Sequence, residues 1–414
     1  MKQTDFLPVI LGADLNCYHV ARAFYEAYQI KSHAFGKYET SAIKSSRFIH
    51  FHAEPNLADA ETVLRVLHNF AAEHKDQKLI LLGCTDDYVK MIIDHREELQ
   101  EQYLISYIDS ELMDRLSSKE HFYELCLMHG ITFPKTFIFS ADMLKDENCL
   151  ADETLGFSYP IIIKPSVSYL YWKYPFDHMK KVYIAKNEDD AKKIVDEIYQ
   201  AGYPETLIIQ DFIPGKDDCM YVLTCYSDQN GKVRMSCLGH VLLEEHTPKG
   251  LGNHVAVITE SHPEIVEKLT AFLESIHYCG FSNFDIKYDR RDHSWRVFEI
   301  NMRQGRSNYY VTAQGFNIAK LLVQDLIEHH FEQDILQNDE SVFWAAIPKK
   351  IVYDYTEDAS LVAKAKELVQ SKRFRSSLWY SKDLLWNPMR LFYVSANSFN
   401  HFKKFKKYLE KPNR

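Results

Sequence analysis

Short apolar runs alternate with helical stretches in the first part of the chain. The run Phe6 to Leu11 is apolar and ends at Gly12, which predicts a buried strand, and apolar residues then recur at helical spacing from Tyr18 to Tyr28. A helical stretch from about Asp59 to Glu73 leads into a second apolar run, Lys78 to Leu82. Strands that alternate with helices in this way predict a parallel, doubly wound sheet.

Side-chain oxygens follow both of these predicted strands. Asp14 comes shortly after the first strand and Asp86 shortly after the second. In open α/β sheets, ligands bind beyond the carboxyl ends of the strands. Each aspartate is explained equally well as the N-cap of the helix that comes next, so both interpretations stay open.

The pattern changes in the middle of the chain. A helix is predicted from Ser117 to His129 and another from Asp189 to Ala201. The strand-like runs are Thr136 to Phe139, Pro160 to Lys164, Val182 to Ala185 and Leu207 to Gln210. Met220 to Tyr226 and Val233 to Leu243 form a predicted hairpin. This part is therefore expected to be α+β and mainly antiparallel.

The segment Phe284 to Arg306 carries the most informative polar residues. It is expected to form two adjacent strands, with Asp285 on the first, while the period of two places Glu299, Asn301 and Arg303 on one face of the second. Three oxygen ligands from neighbouring strands suit Mg²⁺, and Arg303 then stands beside the metal as a fixed positive charge. The alternative is the solvated face of an edge strand.

Composition limits the class of protein. With 414 residues, 46% hydrophobic and 26% charged, the chain is long enough for two or three folded domains and is no minimal binding module. A net charge of −9 argues against a general nucleic-acid coat. Eight scattered cysteines without a CxxC pair, no signal peptide and no apolar run long enough to span a membrane favour a cytoplasmic protein with reduced thiols.

The C-terminal tail differs from the remainder in charge. From residue 371 to 414 it has eleven Lys/Arg and two Asp/Glu, a net charge of +9 that leaves −18 for the rest. Trp379, Trp386, Phe392 and Phe399 are interleaved with these cations. Such a segment can rest on an anionic membrane surface. The preferred interpretation is that the aromatic side chains pack on the protein body while the cations stay in water.

Two lysines and the polar end of a predicted strand precede the acidic strands in the sequence. Lys119 opens a helix, Lys164 ends an apolar strand, and Gln210 to Ile213 precede a Pro-Gly turn and Asp217. Followed by the acidic strands, this order is similar to that of the ATP-grasp superfamily, in which two α+β subdomains hold ATP between them. The resemblance covers about residues 113 to 326.

The resemblance implies a role for each matching residue. The implied nucleotide contacts are Lys119 and Lys164 with the phosphates, Gln210, Asp211, Phe212 and Ile213 with adenine, and Asp217 with the ribose, where Asp218 is the alternative. The implied ligands of one or two Mg²⁺ ions are Asp285, Glu299 and Asn301.

Two positions depart from the superfamily pattern. The loop that covers the phosphates should be rich in glycine, yet residues 166 to 181 contain none. Its hydroxyls and cations are expected to take over that role, namely Ser166, Ser168, Lys173, Lys180 and Lys181. Asn283 stands where the D-alanine ligases of the superfamily carry an arginine, so Arg303 becomes the preferred stabiliser of the reacting carboxylate, with Lys164 as the second catalytic cation.

A narrower resemblance spans nearly the whole chain. The opening PVILGADLNCYHVARAFYEAY, the loop YWKYPFDHMKKVYIA and the segment LEEHTPKGLGNH resemble the D-aspartate ligases of lactic acid bacteria and enterococci. That resemblance implies transfer of the ATP γ-phosphate to a carboxylate, followed by attack of the lysine amine of a peptidoglycan precursor. The identity and chirality of the amino acid, the acceptor and the oligomeric state stay open.

The expected substrate contacts lie in two loops. His246, Thr247, Lys249 and Asn253 suit an acidic substrate or the precursor, although an ordinary surface loop explains them too. Arg306 follows the metal strand and should face an anion. The alternatives to a D-aspartate ligase are an amino-acid or dipeptide ligase with another donor or acceptor, and an inactive nucleotide-binding scaffold.

The expected organisation has three segments. An N-terminal α/β domain covers residues 1 to 112, and an ATP-grasp domain covers 113 to 330 with a lid at about 135 to 210. A C-terminal extension covers residues 331 to 414.

Overall fold

The structure, a computed structural model, describes residues 5–247, 250–338 and 340–412. The chain forms two compact units. The first comprises Met1–Ser118, Lys216–Ile286 and Glu299–Arg414, and the second comprises Lys119–Gly215 and Lys287–Phe298. The predicted lid falls inside the second unit. The boundaries of the three predicted segments stay a prediction. The compact units are defined by packing contacts and combine separate stretches of the chain, whereas each predicted segment is one continuous stretch.

A parallel sheet forms the N-terminal part of the first unit. Its strands are β1 (Phe6–Leu11), β2 (Ser32–Gly36), β3 (Ile49–Ala53), β4 (Lys78–Gly83) and β5 (Tyr103–Leu104), in the order β3-β2-β1-β4-β5. Every pair in this sheet is parallel, as the alternating pattern predicts. Its helices are Leu15–Tyr28, Ala60–Glu73, Asp86–Asp94, Arg96–Leu99 and Ser110–Ser117.

Local sequence explains how this sheet turns into its helices. Gly12 has a φ of 148°, and a Cβ atom there would lie 2.7 Å from Cβ of Cys84, so the turn requires glycine. Asp14 caps the helix that follows β1, since its carboxylate accepts from the Cys17 N–H at 3.2 Å. Thr85, not Asp86, caps the helix after β4. The capping interpretation is thus confirmed for Asp14 and wrong for Asp86.

The second unit contains an antiparallel sheet. Its strands are β6 (Thr136–Phe139), β7 (Ile161–Pro165), β8 (Tyr183–Ala185) and β9 (Leu207–Asp211), in the order β6-β9-β7-β8. Its helices are Lys119–Met128, Asp152–Leu155, Ser168–Tyr171 and Glu188–Gln200, with a 3₁₀ turn at Ala141–Lys145. The helix predicted from Ser117 begins at Lys119, because Ser118 has an extended backbone that separates it from the helix before.

An eight-stranded sheet spans most of the remaining chain. Its strands are β10 (Met220–Ser227), β11 (Val233–Glu244), β12 (His254–Thr259), β13 (Gly280–Asp289), β14 (Ser294–Asn301), β15 (Leu336–Gln337), β16 (Phe343–Ala345) and β17 (Phe374–Ser376). The order is β14-β13-β10-β11-β12-β16-β17, and β15 pairs with β11. The predicted hairpin is confirmed as β10 and β11, and residues 287–298 of the hairpin β13–β14 belong to the second unit.

Helices cover this sheet and end the chain. They are Pro263–Ser275, Tyr309–Gln314, Ile318–Val323, Lys349–Tyr355, Ala359–Gln370 and Pro388–Tyr408, with short 3₁₀ turns at Asp217–Cys219 and Lys382–Leu384 and a π turn at Gln324–Glu328. Within the described ranges, none of the helices has the length and apolarity needed to cross a bilayer. All eight cysteines are free thiols.

The tail contradicts the preferred sequence interpretation. Trp379 is partly buried against the core and donates from Nε1 to Ser398 Oγ at 2.9 Å. Trp386, Phe392 and Phe399 are instead 94%, 63% and 61% exposed. The physical reason is that a single helix presents only one face to the protein, and these three side chains lie on its outer side or just before it.

Candidate active site

The predicted metal ligands come together on β13 and β14. Asn301 Nδ2 donates to Asp285 Oδ2 at 3.3 Å, and the Asp285 and Glu299 carboxyl groups share a hydrogen bond. Ile300 is buried while Glu299 is exposed and Asn301 is partly exposed, as the period of two predicts. Two carboxyl groups and one side-chain amide thus lie together within the first unit.

Burial and like charges dominate the electrostatics of this group. Burial, together with the neighbouring Glu299 and Glu244, raises the pKa of Asp285 to about 7, although His254 opposes that shift. A carboxyl group held neutral by neighbouring acids becomes ionised when a cation joins them. The donor set therefore fits a hard divalent cation such as Mg²⁺. Within the described ranges, no group of three or more His, Cys, Asp or Glu side chains is arranged to hold a metal ion.

Sequence reasoning missed two neighbours of this group. Glu244 ends β11 and His254 begins β12, and the two residues pair in the sheet with an Oε1 to Nε2 distance of 3.4 Å. Burial opposes protonation of His254, but the hydrogen bond and charge of Glu244 raise its pKa overall. The available signal was a charged residue at the end of the apolar run Val241 to Leu243.

The loop after β14 carries two arginines. Arg303 donates from Nε to Asp86 Oδ1 at 2.7 Å and from Nη2 to Oδ2 at 3.1 Å. Burial opposes the charge on Arg303, yet the Asp86, Asp285 and Asp14 carboxyl groups raise its pKa. Arg303 is therefore held by Asp86 while it lies in the electric field of Asp285.

Arg306 lies in a second cluster of charges. Its Nη1 atom is 3.6 Å from Glu245 Oε2, and Lys404 Nζ is 3.1 Å from Glu245 Oε1. Burial raises the pKa of Asp14, and Arg306 and Arg303 both oppose that shift. The partly buried Asp14 carboxyl group, just after β1, thus lies in the electric field of both arginines. Glu245 and Lys404 were absent from the sequence prediction.

Buried amides fix this loop on the N-terminal sheet. Asn16 donates to the Cys84 carbonyl at 2.9 Å and to the Gln304 carbonyl at 3.2 Å. Gln304 donates in turn to the Gly83 carbonyl at 3.0 Å, and Asn308 donates to Asn16 Oδ1 at 2.8 Å. The two arginines are therefore held at the carboxyl ends of β1 and β4, where open sheets bind ligands.

Polar side chains of the predicted substrate loop form hydrogen bonds within the protein. His246 Nε2 is 2.8 Å from Asp217 Oδ2, Thr247 Oγ1 donates to Glu245 at 3.1 Å, and Asn253 donates to the Gly250 carbonyl at 2.8 Å. Lys249 lies outside the described residues. The hydrogen bond with Asp217 raises the pKa of His246. Asp217, the predicted ribose contact, also accepts from the Glu244 N–H at 2.8 Å.

The predicted adenine residues lie at the end of β9 in the second unit. Gln210 donates to Tyr123 Oη at 3.0 Å and to Thr136 Oγ1 at 2.8 Å. The Asp211 carboxylate binds both terminal nitrogens of Arg291, at 3.0 and 2.5 Å. The side-chain donor atoms of Gln210 and the Asp211 carboxylate are thus engaged within the unit, and the Asp211 N–H donates to the Lys135 carbonyl at 3.0 Å.

Neighbouring residues of β9 complete this part of the second unit. Phe212 and Asp211 line an open cavity of about 720 Å³. The Lys287 ammonium lies 5.8 Å from the centre of the Phe212 ring, and Ile213 is buried.

The predicted phosphate contacts also belong to the second unit. Lys119 begins its helix and Lys164 lies on β7, and both side chains are partly buried. The Ser166 N–H donates to the Thr206 carbonyl at 3.1 Å, and Lys181 is exposed. The side chain of Ser168 lies outside the part of the chain that is described. At the arginine position of the D-alanine ligases, the buried Asn283 donates to Thr224 Oγ1 at 2.8 Å.

One curated relative covers almost the whole chain. The D-aspartate ligase of Enterococcus faecium (strain Aus0004) is 34% identical over 418 residues, which is 99% of this chain and 98% of that protein. No protein-family profile matches the chain.

Solved structures share the fold at low identity. The N5-carboxyaminoimidazole synthetase of Staphylococcus aureus is 16% identical with a TM-score of 0.59, covering 84% of this chain and 85% of that one. The L-amino acid ligase of Bacillus licheniformis is 16% identical with a TM-score of 0.54, covering 80% and 77%. The biotin carboxylase domain of the Hydrogenobacter thermophilus 2-oxoglutarate carboxylase, a complex with MgADP, is 14% identical with a TM-score of 0.59, covering 80% and 72%. The predicted ATP-grasp fold with its α/β N-terminal domain is confirmed.

Proposed function

The chain belongs to the D-aspartate ligase family, and from this premise we propose that it joins D-aspartate to the lysine side chain of a peptidoglycan precursor at the expense of ATP. The chemistry is that of an ADP-forming carboxylate-amine ligase. We infer that the reaction takes place in the cytoplasm, where ATP is available.

The reaction has two steps. A carboxylate oxygen of the amino acid attacks the γ-phosphorus of ATP, the bond to ADP breaks, and an acyl phosphate forms. The neutral lysine amine then attacks the acyl carbon, phosphate leaves with the carbon-oxygen electron pair, and the amine loses a proton as the amide forms. Both steps concentrate negative charge, so fixed cations at the reacting atoms lower the barrier.

The acidic group on β13 and β14 is proposed to hold Mg²⁺. Asp285, Glu299 and Asn301 supply the oxygen ligands, and the bound ion neutralises phosphate charge. The raised pKa of Asp285 supports this role, because burial and the neighbouring acidic groups make its ionisation costly without a cation. Arg303 adds a fixed guanidinium next to this group.

The residues proposed to contact the nucleotide are those that match the superfamily pattern. Lys119, Lys164, Ser166, Ser168 and Lys181 are assigned to the phosphates. The base and ribose are assigned to Gln210, Asp211, Phe212, Ile213 and Asp217. Because the side chains and the backbone of Gln210 and Asp211 are already hydrogen-bonded, we propose that the backbone of Phe212 and Ile213 recognises the base.

The observation that carries the choice of an acidic donor is the pair of arginines after β14. Aspartate has two carboxylates, one that reacts and one that must be held, and a guanidinium binds a carboxylate through two hydrogen bonds. The charges of Arg303 and Arg306 both lower the pKa of the Asp14 carboxyl group. We therefore propose that an anionic donor near Asp14 interacts with both guanidinium groups. The acceptor is assigned to the loop of His246, Thr247, Lys249 and Asn253.

The test is phosphate release with Mg-ATP and a lysine-containing precursor. D-Asp, L-Asp, D-Asn and D-Ala are supplied in separate reactions, and the adducts are identified by mass. We expect turnover with D-Asp that is lost in Glu299→Gln and kept in Glu267→Gln, an exposed glutamate on the helix Pro263–Ser275 of the same unit.

Each other outcome points to a different function. Turnover with another amino acid keeps the ligase chemistry and contradicts the choice of donor. Nucleotide binding without turnover for any donor and acceptor contradicts the ligase and favours the scaffold.

A further inference from the structure

The outer side of the C-terminal helix Pro388–Tyr408 is apolar and basic. The large apolar side chains on it or just before it that are 40% to 94% exposed include Leu385, Trp386, Met389, Phe392, Phe399 and Phe402. Three exposed lysines follow them, Lys403, Lys406 and Lys407. We call these nine residues the tail face. A group of large exposed apolar side chains on a folded protein marks an interaction site.

Buried contacts prevent the helix from rotating about its axis to bury the tail face. Arg390 is fully buried, pairs with Asp383 at 2.8 Å, and donates to the Ala42 carbonyl at 2.7 Å. Val394 and Phe405 continue this buried side. The buried Arg390 ion pair and the packing behind it therefore fix which side of the helix faces outward.

Helix geometry places the aromatic and basic residues together. At about 100° per residue, Phe392, Phe399, Lys403 and Lys406 lie within about 40° of the direction opposite Arg390. The Lys403 ammonium is 4.7 Å from the centre of the Phe399 ring. The tail face thus has an apolar first half and a basic second half along one side of the helix.

The charge of the segment selects the kind of partner. Residues 384–409 contain no Asp or Glu and four lysines, although the chain as a whole has a net charge of −9. A second copy of this face would supply no anion to the lysines, whether the two helices ran parallel or antiparallel. A surface that accepts apolar side chains and offers many negative charges at the same depth is a bilayer with anionic headgroups.

We propose that the tail face binds the surface of an anionic lipid bilayer. Trp386 and the phenylalanines enter the boundary between headgroups and acyl chains, and the lysines interact with the headgroup phosphates. The helix lies on the membrane and does not span it. This binding is independent of the ligase reaction, since the tail face contains none of the residues assigned to that reaction.

The experiment is flotation of the full-length protein with lipid vesicles. Vesicles of phosphatidylcholine with about 30% phosphatidylglycerol are compared with pure phosphatidylcholine, in salt from about 50 mM to about 500 mM. We expect binding to the anionic vesicles only, and weaker binding as salt rises. Binding that is equal for neutral vesicles, or unchanged by salt, overturns the proposal.

Two variants and a control locate the contact. We expect the double variant Phe392→Ser/Phe399→Ser and the triple variant Lys403→Gln/Lys406→Gln/Lys407→Gln each to lower vesicle partitioning at least about tenfold. Tyr38→Ser, which replaces an aromatic residue 70% exposed elsewhere in the first unit, should bind like the wild type. Circular dichroism and turnover with soluble substrates confirm that each variant is folded and active.

Trp386 gives a local signal. Its emission should shift to the blue when anionic vesicles are added, and Trp386→Phe should abolish most of that shift while the protein still binds. Vesicle binding that survives in both multiple variants places the contact elsewhere and overturns the proposal. A protein dimer that is lost in Phe392→Ser/Phe399→Ser, without vesicle binding by the wild type, overturns it in favour of a self-association surface.

Discussion

The hairpin β13–β14 carries charged residues at both ends, but the two ends differ in electrostatics. At the end that belongs to the first unit, Asp285 and Glu299 share a hydrogen bond, and burial with like charge raises the pKa of Asp285 to about 7. At the end that belongs to the second unit, Arg291 binds Asp289 at 3.0 and 2.8 Å and Asp211 at 2.5 Å. The hydrogen bonds from Arg291 lower the pKa of Asp289.

At one end of the hairpin the carboxylates are paired with a guanidinium group, and at the other end acidic groups lie together. Each carboxylate near Arg291 already has a guanidinium partner, so that end gains little from an external ion. At the other end, Arg303 donates to both carboxylate oxygens of Asp86 and to the Gln304 carbonyl, while the acidic groups of β13 and β14 lie together. Acidic residues gathered in this way would be stabilised by a cation from solution, as the proposed metal site requires.

The largest expected effect concerns the acidic end. Asp285→Asn should lower ligase turnover at least about 10³-fold, or roughly 4 kcal/mol, because one ligand charge for the metal is lost. Its thermal stability should stay equal or rise, since a like-charge contact is removed. Steady-state kinetics and a melting curve measure both; a strongly destabilised variant would show that this end, too, is mainly structural.

The second prediction concerns the cation beside that group. Arg303→Ala should reduce turnover about 10²-fold through loss of a fixed charge at the reacting carboxylate. Arg303→Lys should recover part of the activity, and Asp86→Asn should have a smaller effect because it loosens Arg303 without removing it. Kinetics at varied D-Asp concentration separate KM from kcat; full activity of Arg303→Ala would remove this residue from the site.

The third prediction uses the metal directly. Mg²⁺ at about ten times its Kd should stabilise the wild type by about 1.4 kcal/mol, and a chelator should reverse the gain. Asp285→Asn should show no such gain, whereas Arg291→Gln at the other end of the hairpin should keep it. Thermal shift assays with and without Mg²⁺ measure this contrast, and equal shifts in both variants would contradict the proposed position of the metal.

The smallest effect is expected at the ion-pair end. Arg291→Gln should lower stability by about 1 kcal/mol, because the arginine is partly exposed and its pairs are screened by water. Turnover should change less than about threefold. Chemical denaturation measures the loss, and the double variant Arg291→Gln/Asp289→Asn isolates the coupling between the two side chains.

The same pair predicts a dependence on pH. The pKa of Asp289 is lower in the folded protein than in the unfolded chain, so the unfolded chain binds more protons in mild acid. The ion pair therefore stabilises the protein above the ordinary aspartate pKa, and this contribution is lost as pH falls through the lower, folded value. Arg291→Gln should unfold at a higher pH on acid titration; an unchanged acid midpoint would mean that the pair adds no stability.

Local patterns in the sequence were sufficient for the secondary structure around the site. The period of two correctly placed Glu299 and Asn301 on one face of β14, and the alternation of strands and helices gave the parallel N-terminal sheet. On the C-terminal helix, the same patterns could not predict which side chains are buried and which face water. Burial there depends on what covers each side, which is why the expectation for Trp386, Phe392 and Phe399 was wrong.

The contacts between distant segments were decided by tertiary structure. Asp86 lies 217 residues before its partner Arg303, and Glu245 lies 159 residues before Lys404. Nothing in the local period of either segment signals such a pair. The sequence alone determined the strand ends, the acidic residues on β13 and β14 and the family resemblance, because those depend on residues close together in the chain. The partner of each charge was set only by packing, since charges interact through space and not along the sequence.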